Sequence, residues 1–224
     1  MTEQSTGNRI SFDSQGHEFL KSNTGETEFD YAANRPPLST AISGKTLTLR
    51  IVEPDMKIVH IFDDKEVEWE IVVGPGQGDK AKVPYEAFEM APKIFFISFL
   101  ARETESIGIA ADLNKGIATV VKGDLNDRKI DSVALSASIE EAINTEEPPS
   151  YHPPFSLGGT RLLNTYADNV AYEHIYLTRR YKTWLGCIGP QVGQADTEEY
   201  YAFKITDGIG LSISTHFSSN LSQE

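Results

Sequence analysis

Tyr172-Glu173-His174-Ile175-Tyr176 sets two phenols and an imidazole at alternate positions. In an extended chain alternate side chains share a face, so Tyr172, His174 and Tyr176 would stand together, with Glu173, Ile175 and Leu177 opposite. Two phenols flanking an imidazole can hydrogen-bond a developing oxyanion while the imidazole exchanges a proton near neutral pH. Tyr172, His174 and Tyr176 are therefore the candidate catalytic residues. Arg179 and Arg180 follow; an arginine such as Arg180 at a pocket mouth could grip a carboxylate through two parallel hydrogen bonds. Tyr181, Trp184 and Tyr200, with His60 and Trp69 earlier in the chain, complete a candidate ligand-binding set. The competing reading gives the aromatic face to a barrel exterior or a satisfied core, and Thr178-Arg179-Arg180 to a solvated hairpin tip.

Other chemistry-bearing residues read as structural. Glu66, Glu68 and Glu70 alternate opposite Val67, Trp69 and Ile71, the pattern of a strand with one solvated face. Asp196, Glu198 and Glu199 read as a solvated loop run. The five histidines show no metal-ligand spacing. The chain carries no phosphate-cradling glycine loop, dinucleotide fingerprint or nucleophile elbow, so no metal or cofactor is expected. Cys187 is the single cysteine, which rules out an intrachain disulfide and reads as a small buried hydrophobe in an apolar strand.

The elements that must position these residues are strands. From Gly44 onward short β-branched and aromatic runs alternate with polar residues and are punctuated by turn residues. Strands are expected over 46–52, 58–62, 67–73, 85–90, 94–100, 105–111 and 116–122. Others are expected over 161–166, 170–177, 181–188, 200–205 and 209–215. Residues 132–143 read as a strand running into a short helix at 138–143. The proline-rich stretch 146–154 reads as an extended surface connector.

These strands fall into an internal repeat. Gly74-Pro75-Gly76-Gln77-Gly78 aligns with Gly189-Pro190-Gln191-Val192-Gly193, and Tyr85-Glu86-Ala87-Phe88 with Tyr200-Tyr201-Ala202-Phe203. At the same offset Trp69 meets Trp184 and Gly44 meets Gly159; one residue shorter, His60 meets His174. Gly-Pro-x-x-Gly reads as turn geometry, proline presetting φ and glycine supplying positive φ. The expected fold is all-β: an antiparallel calycin/lipocalin-like β-barrel built from an internal duplication, with a shortened second copy. The expected organisation is an irregular arm at 1–37 and a duplicated barrel domain at 38–217. Within it lie copy one at 44–124, a linker at 125–157 and copy two at 158–217; a polar tail covers 218–224. An open sheet edge in the second copy would suit a homodimer.

With 33 acidic against 20 basic residues the net charge is −13, which repels nucleic-acid backbones and anionic lipid surfaces. No nucleic-acid or membrane partner is expected. The polar opening 1–18 has no apolar signal-peptide core, and the most apolar stretch, 93–100, is strand-sized, so a cytoplasmic location is expected.

The second copy resembles the molybdenum-cofactor biosynthesis protein F (MoaF) family. The resemblance rests on Tyr172 to Tyr176, Tyr181-Lys182-Thr183-Trp184-Leu185-Gly186-Cys187, Gly189, Gly193, Ala195-Asp196-Thr197, Tyr200-Tyr201 and Lys204-Ile205. It is specific over about 158–214, looser over 38–124, and extends more distantly to the phenolic acid decarboxylases. It implies an antiparallel barrel with a central cavity. The decarboxylases' pocket tyrosines, arginine and glutamate would correspond to Tyr172, Tyr176, Arg180 and Glu173, although alternation sets Glu173 on the other face. Two functions follow as expectations. The first is a cofactor-independent lyase, isomerase or cyclase acting on a small aromatic or polyketide-like compound in the barrel cavity. The second is a non-catalytic carrier using the same cavity.

Overall fold

The computed structural model of the chain describes residues 10–12, 18–21, 28–30, 33–126, 129–142 and 150–215. Every regular element in it is a strand: β1 (Ile10–Phe12), β2 (Glu18–Lys21), β3 (Glu28–Asp30), β4 (Thr46–Ile51), β5 (Met56–Phe62), β6 (Glu66–Val73), β7 (Lys80–Ala91), β8 (Ile94–Arg102), β9 (Glu105–Asp112), β10 (Ile117–Asn126), β11 (Lys129–Ile139), β12 (Arg161–Ala167), β13 (Val170–Tyr176), β14 (Tyr181–Ile188), β15 (Ala195–Thr206) and β16 (Ile209–Thr215). The all-β expectation holds. Strands β4 to β11 close an eight-stranded antiparallel barrel in the order β10-β11-β4-β5-β6-β7-β8-β9, β12 to β16 form a five-stranded sheet in chain order, and β1 to β3 form a three-stranded one. Backbone contacts group the chain into two units, Met1–Pro36 with Leu157–Glu198, and Pro37–Ser156 with Glu199–Glu224.

The barrel follows from alternation. Leu47, Leu49 and Ile51 on β4, Val67 and Trp69 on β6 and Ile97 and Phe99 on β8 are all nearly excluded from solvent. Burying an aliphatic side chain of this size stabilises by roughly 1.5–3 kcal/mol. The tight turn between β5 and β6 is held by Asp63, whose carboxylate accepts from the backbone N–H of Lys65 at 2.8 Å and of Glu66 at 2.6 Å.

Three local expectations change. Residues 125–157 are not a plain linker: β10 runs to Asn126 and β11 occupies 129–139. The expected helix at 138–143 is absent among the described residues. Ala137, Ser138 and Ile139 pair with Ile51, Arg50 and Leu49 to close the barrel, and residues 140–142 turn. Six residues cannot repay helix nucleation, whereas here Glu141 binds the backbone N–H of Thr48 at 2.7 Å and its hydroxyl at 2.5 Å. The arm expected to be irregular holds β1 to β3, paired antiparallel. The tail at 218–224, and residues 146–149 of the connector, lie outside the described residues. The described end of that connector is not simply surface-bound, because His152 is buried with Nδ1 2.9 Å from the Thr119 hydroxyl.

The repeat is legible strand by strand. At one offset β4, β6, β7 and β8 begin where β12, β14, β15 and β16 begin, and β5 maps onto β13 one residue shorter. The Gly-Pro-x-x-Gly loops make the same bonds twice. Gly78 N–H donates to Ile71 C=O at 2.8 Å as Gly193 does to Gly186 at 2.9 Å, and Asp79 to Gly76 as Gln194 to Gln191. The first glycine is required twice over. Gly74 and Gly189 have φ of 98° and 111°, and a Cβ on them would meet Asp55 O at 2.5 Å and Asn169 O at 3.0 Å. Both loops are turns, as expected from the sequence.

Candidate ligand cavity and a buried polar cluster

The first barrel encloses a cavity of about 510 Å³, within the range that holds drug-sized molecules. Its walls are apolar, with Leu49, Ile58, Ile71, Phe99, Ile107 and Val120 among them, because alternate positions of each strand turn inward. Two uncharged polar side chains, His60 and Trp69, join that lining. They are directly opposed across β5 and β6, so their side chains share one face. His60 packs against Phe62 and Phe99, and its Nδ1 lies 3.3 Å from Leu47 C=O. Burial pushes the imidazole down to about 4. The ring is therefore neutral at neutral pH, with Nδ1 carrying the proton toward Leu47 and Nε2 left as the acceptor. Trp69 is the converse: its Nε1–H is buried and, among the described residues, meets no acceptor. An unpaired buried donor costs roughly 1–3 kcal/mol, and the cavity is where an acceptor would supply that bond.

Charged residues at the cavity include Arg102, Asp79, Glu105 and Lys122. Arg102 bridges Asp79 at 2.8 Å and Glu105 at 3.3 Å, Lys122 meets Glu105 at 2.5 Å, and the guanidinium lies 5.7 Å from the Trp69 ring centroid. These pairs are exposed on the basic side and worth little to stability.

The second run arranges the same positions differently. Tyr172, His174 and Tyr176 do share a face: Tyr172 packs edge-on against Trp184 at 5.9 Å, and His174 packs against Tyr176 at 6.4 Å. His174 pairs across strands with Trp184 as His60 does with Trp69, so the repeated histidine and tryptophan are one cross-strand pair used twice. On that face lie two charges the sequence reading did not pair. Lys182 and Glu198 are almost fully buried and bridge at 3.1 Å. Lys182 Nζ also lies 3.3 Å from His174 Nδ1 and 5.9 Å from the Tyr176 ring centroid. Glu198, expected in a solvated loop, sits inside β15. The repeat offset carried the missing signal: Lys182 and Glu198 stand where the first run has Val67 and Val83, which face each other across β6 and β7.

Burial and the neighbouring Lys182 charge push His174 down to about 4. That makes it a neutral ring at neutral pH, not the near-neutral proton exchanger expected from its type. Tyr172 donates its hydroxyl to Gln191 Oε1 at 2.9 Å. The Gln191 backbone also lies over β14: a Cβ on Gly186 would stand 1.9 Å from Gln191 O, whereas the first run has Ile71 there, a cavity wall. Glu173 faces away as alternation requires, and Arg161 grips it at 3.0 and 2.8 Å. Arg180 is exposed in the 178–180 hairpin connection and Tyr181 is partly exposed beside it, their groups 5.7 Å apart. Tyr200 is fully buried on β15. Cys187, expected to be buried, is exposed, its thiol 3.6 Å from Leu185 C=O.

Comparison with known proteins covers both runs. The MoaF N-terminal domain matches residues 27–127 and the MoaF C-terminal domain matches 151–217. Strand β11, which closes the barrel, falls outside both matched ranges. Protein MoaF of Klebsiella aerogenes is 26% identical over 186 residues, covering 76% of this chain and 68% of that protein. A crystal structure from Burkholderia vietnamiensis, described as a "putative beta-lactamase", superposes with a TM-score of 0.40 and 18% identity over 47% of this chain and 97% of that one. With the N- and C-terminal MoaF domains matched in chain order and a MoaF relative aligned over 76% of this chain, the chain belongs to the MoaF family.

Proposed function

We infer that the first barrel is a binding site for a small, largely apolar molecule carrying one hydroxyl or carbonyl oxygen, and that the chain works as a binding or carrier protein for it. The observation that carries this reading is the buried Trp69 Nε1–H without an acceptor, beside the cavity that Trp69 and His60 line. A hydroxyl seated there accepts from Trp69 and donates to His60 Nε2; a carbonyl satisfies Trp69 alone. The apolar walls supply affinity by area, and the two polar groups supply orientation. Catalysis by a cofactor-free lyase, isomerase or cyclase would need a group inside this cavity that exchanges protons near neutral pH. His60, at about 4, is not suited to that work, which places binding ahead of catalysis.

The test is fluorescence titration with 1-anilinonaphthalene-8-sulfonate, alongside an Ala101→Phe variant. Ala101 is buried in the cavity wall, so phenylalanine there fills the space. The expected result is saturable enhancement with wild type and at least tenfold weaker binding with Ala101→Phe, with thermal denaturation showing that the variant remains folded. Equal binding by a folded variant would place the dye elsewhere and remove the cavity from the account.

A further inference from the structure

The second run contains an internal control for its own chemistry, because each of its positions has a counterpart in the first. Around the conserved cross-strand pair of histidine and tryptophan, five apolar residues of the first run become polar in the second. Val67, Val83, Phe62, Leu49 and Ile58 correspond to Lys182, Glu198, Tyr176, Asn164 and Tyr172. The register sets these on one face: Asn164 opposes Tyr172, His174 opposes Trp184, and Tyr176 opposes Lys182. Folding does not require them, since the first run closes the same strands with valines and a phenylalanine. Burying an ion pair in place of apolar side chains is commonly neutral or unfavourable for stability. A face that gives up apolar packing for a buried lysine and glutamate beside a half-buried histidine is organised for something other than stability.

The geometry says what it presents. An ammonium has only donors to offer, so the Lys182 contact at 3.3 Å makes His174 Nδ1 the acceptor and leaves the ring proton on Nε2. Among the described residues Nε2 meets no partner. Glu198 also bridges Lys182 at 3.1 Å, and the Tyr176 ring centroid lies 5.9 Å from the same ammonium. Among the described residues, Lys182, Glu198, Tyr176 and Tyr172 are the charged and titratable groups on the face of the imidazole. The cation behind the ring strengthens Nε2–H as a donor and opposes protonation of the ring. One diagonal step away across β12 and β13, about 7–8 Å between backbones, Asn164 Nδ2 is buried and, among the described residues, also without a partner. Tyr172 lies between the two, with its hydroxyl proton committed to Gln191.

We propose that the second run carries its own ligand site, in which His174 Nε2–H and Asn164 Nδ2–H2 receive the oxygens of a carboxylate or carbonyl group of a small molecule. Lys182, ion-paired to Glu198, acts through His174 as a positioning residue: it fixes the tautomer that makes Nε2 a donor. This site is independent of the first-barrel cavity, and neither Trp69 nor Ala101 reports on it.

The probes are benzoate, as carboxylate, and benzamide, as neutral carbonyl, titrated into the ¹⁵N-labelled full chain while the His174 ring and Asn164 side-chain resonances are followed by NMR. The free protein is expected to show His174 in the Nε2–H tautomer at pH 7. Benzoate is expected to shift both resonances saturably, with benzamide weaker. Asn164→Leu, which restores the first-run residue, should weaken benzoate at least tenfold without unfolding the chain. The Lys182→Met/Glu198→Leu pair should release the tautomer and weaken benzoate to a similar degree. An Nδ1–H tautomer in wild type overturns the proposal, as does a chain that shows no saturable shift with either probe, its two donors then serving water only. So does benzoate binding that Asn164→Leu leaves unchanged.

Discussion

Removing one member of the Lys182–Glu198 pair should cost far more than removing both. Each side chain is under a tenth exposed and the two bridge at 3.1 Å, so Lys182→Met removes the counter-charge of a buried carboxylate and Glu198→Leu that of a buried ammonium. Breaking a buried pair from one side costs roughly 3–5 kcal/mol. Replacing both with apolar side chains of similar volume is expected to leave stability within about 1 kcal/mol of wild type or to raise it. The first run supports that sign, since Val67 and Val83 hold the equivalent positions fully apolar. The coupling between the two sites should therefore be about 5 kcal/mol or more, well above the roughly 0.5 kcal/mol error of additivity at distant sites. The assay is urea unfolding of wild type, both single variants and the double variant at pH 7, read as midpoint shifts at constant slope. Two results would refute the reasoning. Single variants costing less than 1 kcal/mol would mean the pair is effectively hydrated. A double variant as unstable as the sum of the singles would mean the second run depends on the charges for its fold.

Three further outcomes follow. His60 has a folded value of about 4 against 6.5 when free. The unfolded chain thus binds more protons between those values, and stability is fully present above pH 6.5 and lost as pH falls through the window toward 4. At 1.36 kcal/mol per unit this is about 3 kcal/mol; His60→Phe should reduce the fall in urea midpoint between pH 6.5 and 4, leaving the share that His174 contributes over the same window, and an unchanged profile would assign the pH dependence to other groups. Alanine scanning of the strand glycine Gly186 and the turn glycines Gly74, Gly189 and Gly44 should rank by what a Cβ meets, Gly186→Ala worst at 1.9 Å, then Gly74→Ala at 2.5 Å, then Gly189→Ala at 3.0 Å, with Gly44→Ala, in open space, costing only the roughly 1–2 kcal/mol of its positive φ; thermal denaturation of the four variants checks the order. The exposed Cys187 should react with a thiol reagent such as dithionitrobenzoate in the native protein as fast as in urea, and protection by folding would contradict its placement.

The strands and their duplication were legible because both rest on period-two alternation and on turn chemistry, which are local. The Gly-Pro-x-x-Gly loops were readable for the same reason: positive φ and close approach are dictated by a few neighbouring residues. The opposed faces of His174 and Glu173 followed from alternation alone. What was not legible is pairing between distant strands. Glu198 looks solvated in its own run of acids and becomes buried only because β15 sets it beside Lys182. The segment 138–143 has helical composition, but its fate is decided by β4, whose Leu49 and Ile51 need a partner strand. The cavity was expected at the phenol-bearing second run; the described cavity around His60 and Trp69 lies in the first. Ile58 and Ile71 leave space inside the closed barrel, whereas in the second run the Gln191 loop lies over the position that matches Ile71. Offset comparison of the two runs, residue against residue, is the one sequence operation that would have exposed the Lys182–Glu198 exchange.

The central claim, that the first barrel holds an apolar molecule through an oxygen at Trp69, is tested most directly by the indole N–H resonances. The protein has two tryptophans, so a ¹⁵N-labelled sample gives two indole cross-peaks, with Trp184 as the built-in reference. Titration with 1-naphthol should move the Trp69 peak downfield and saturably while leaving Trp184 in place, and naphthalene should bind at least tenfold more weakly, because it leaves Trp69 Nε1–H and His60 Nε2 unpaired. Equal binding of the two compounds, or a Trp69 peak that neither one moves, would contradict the account.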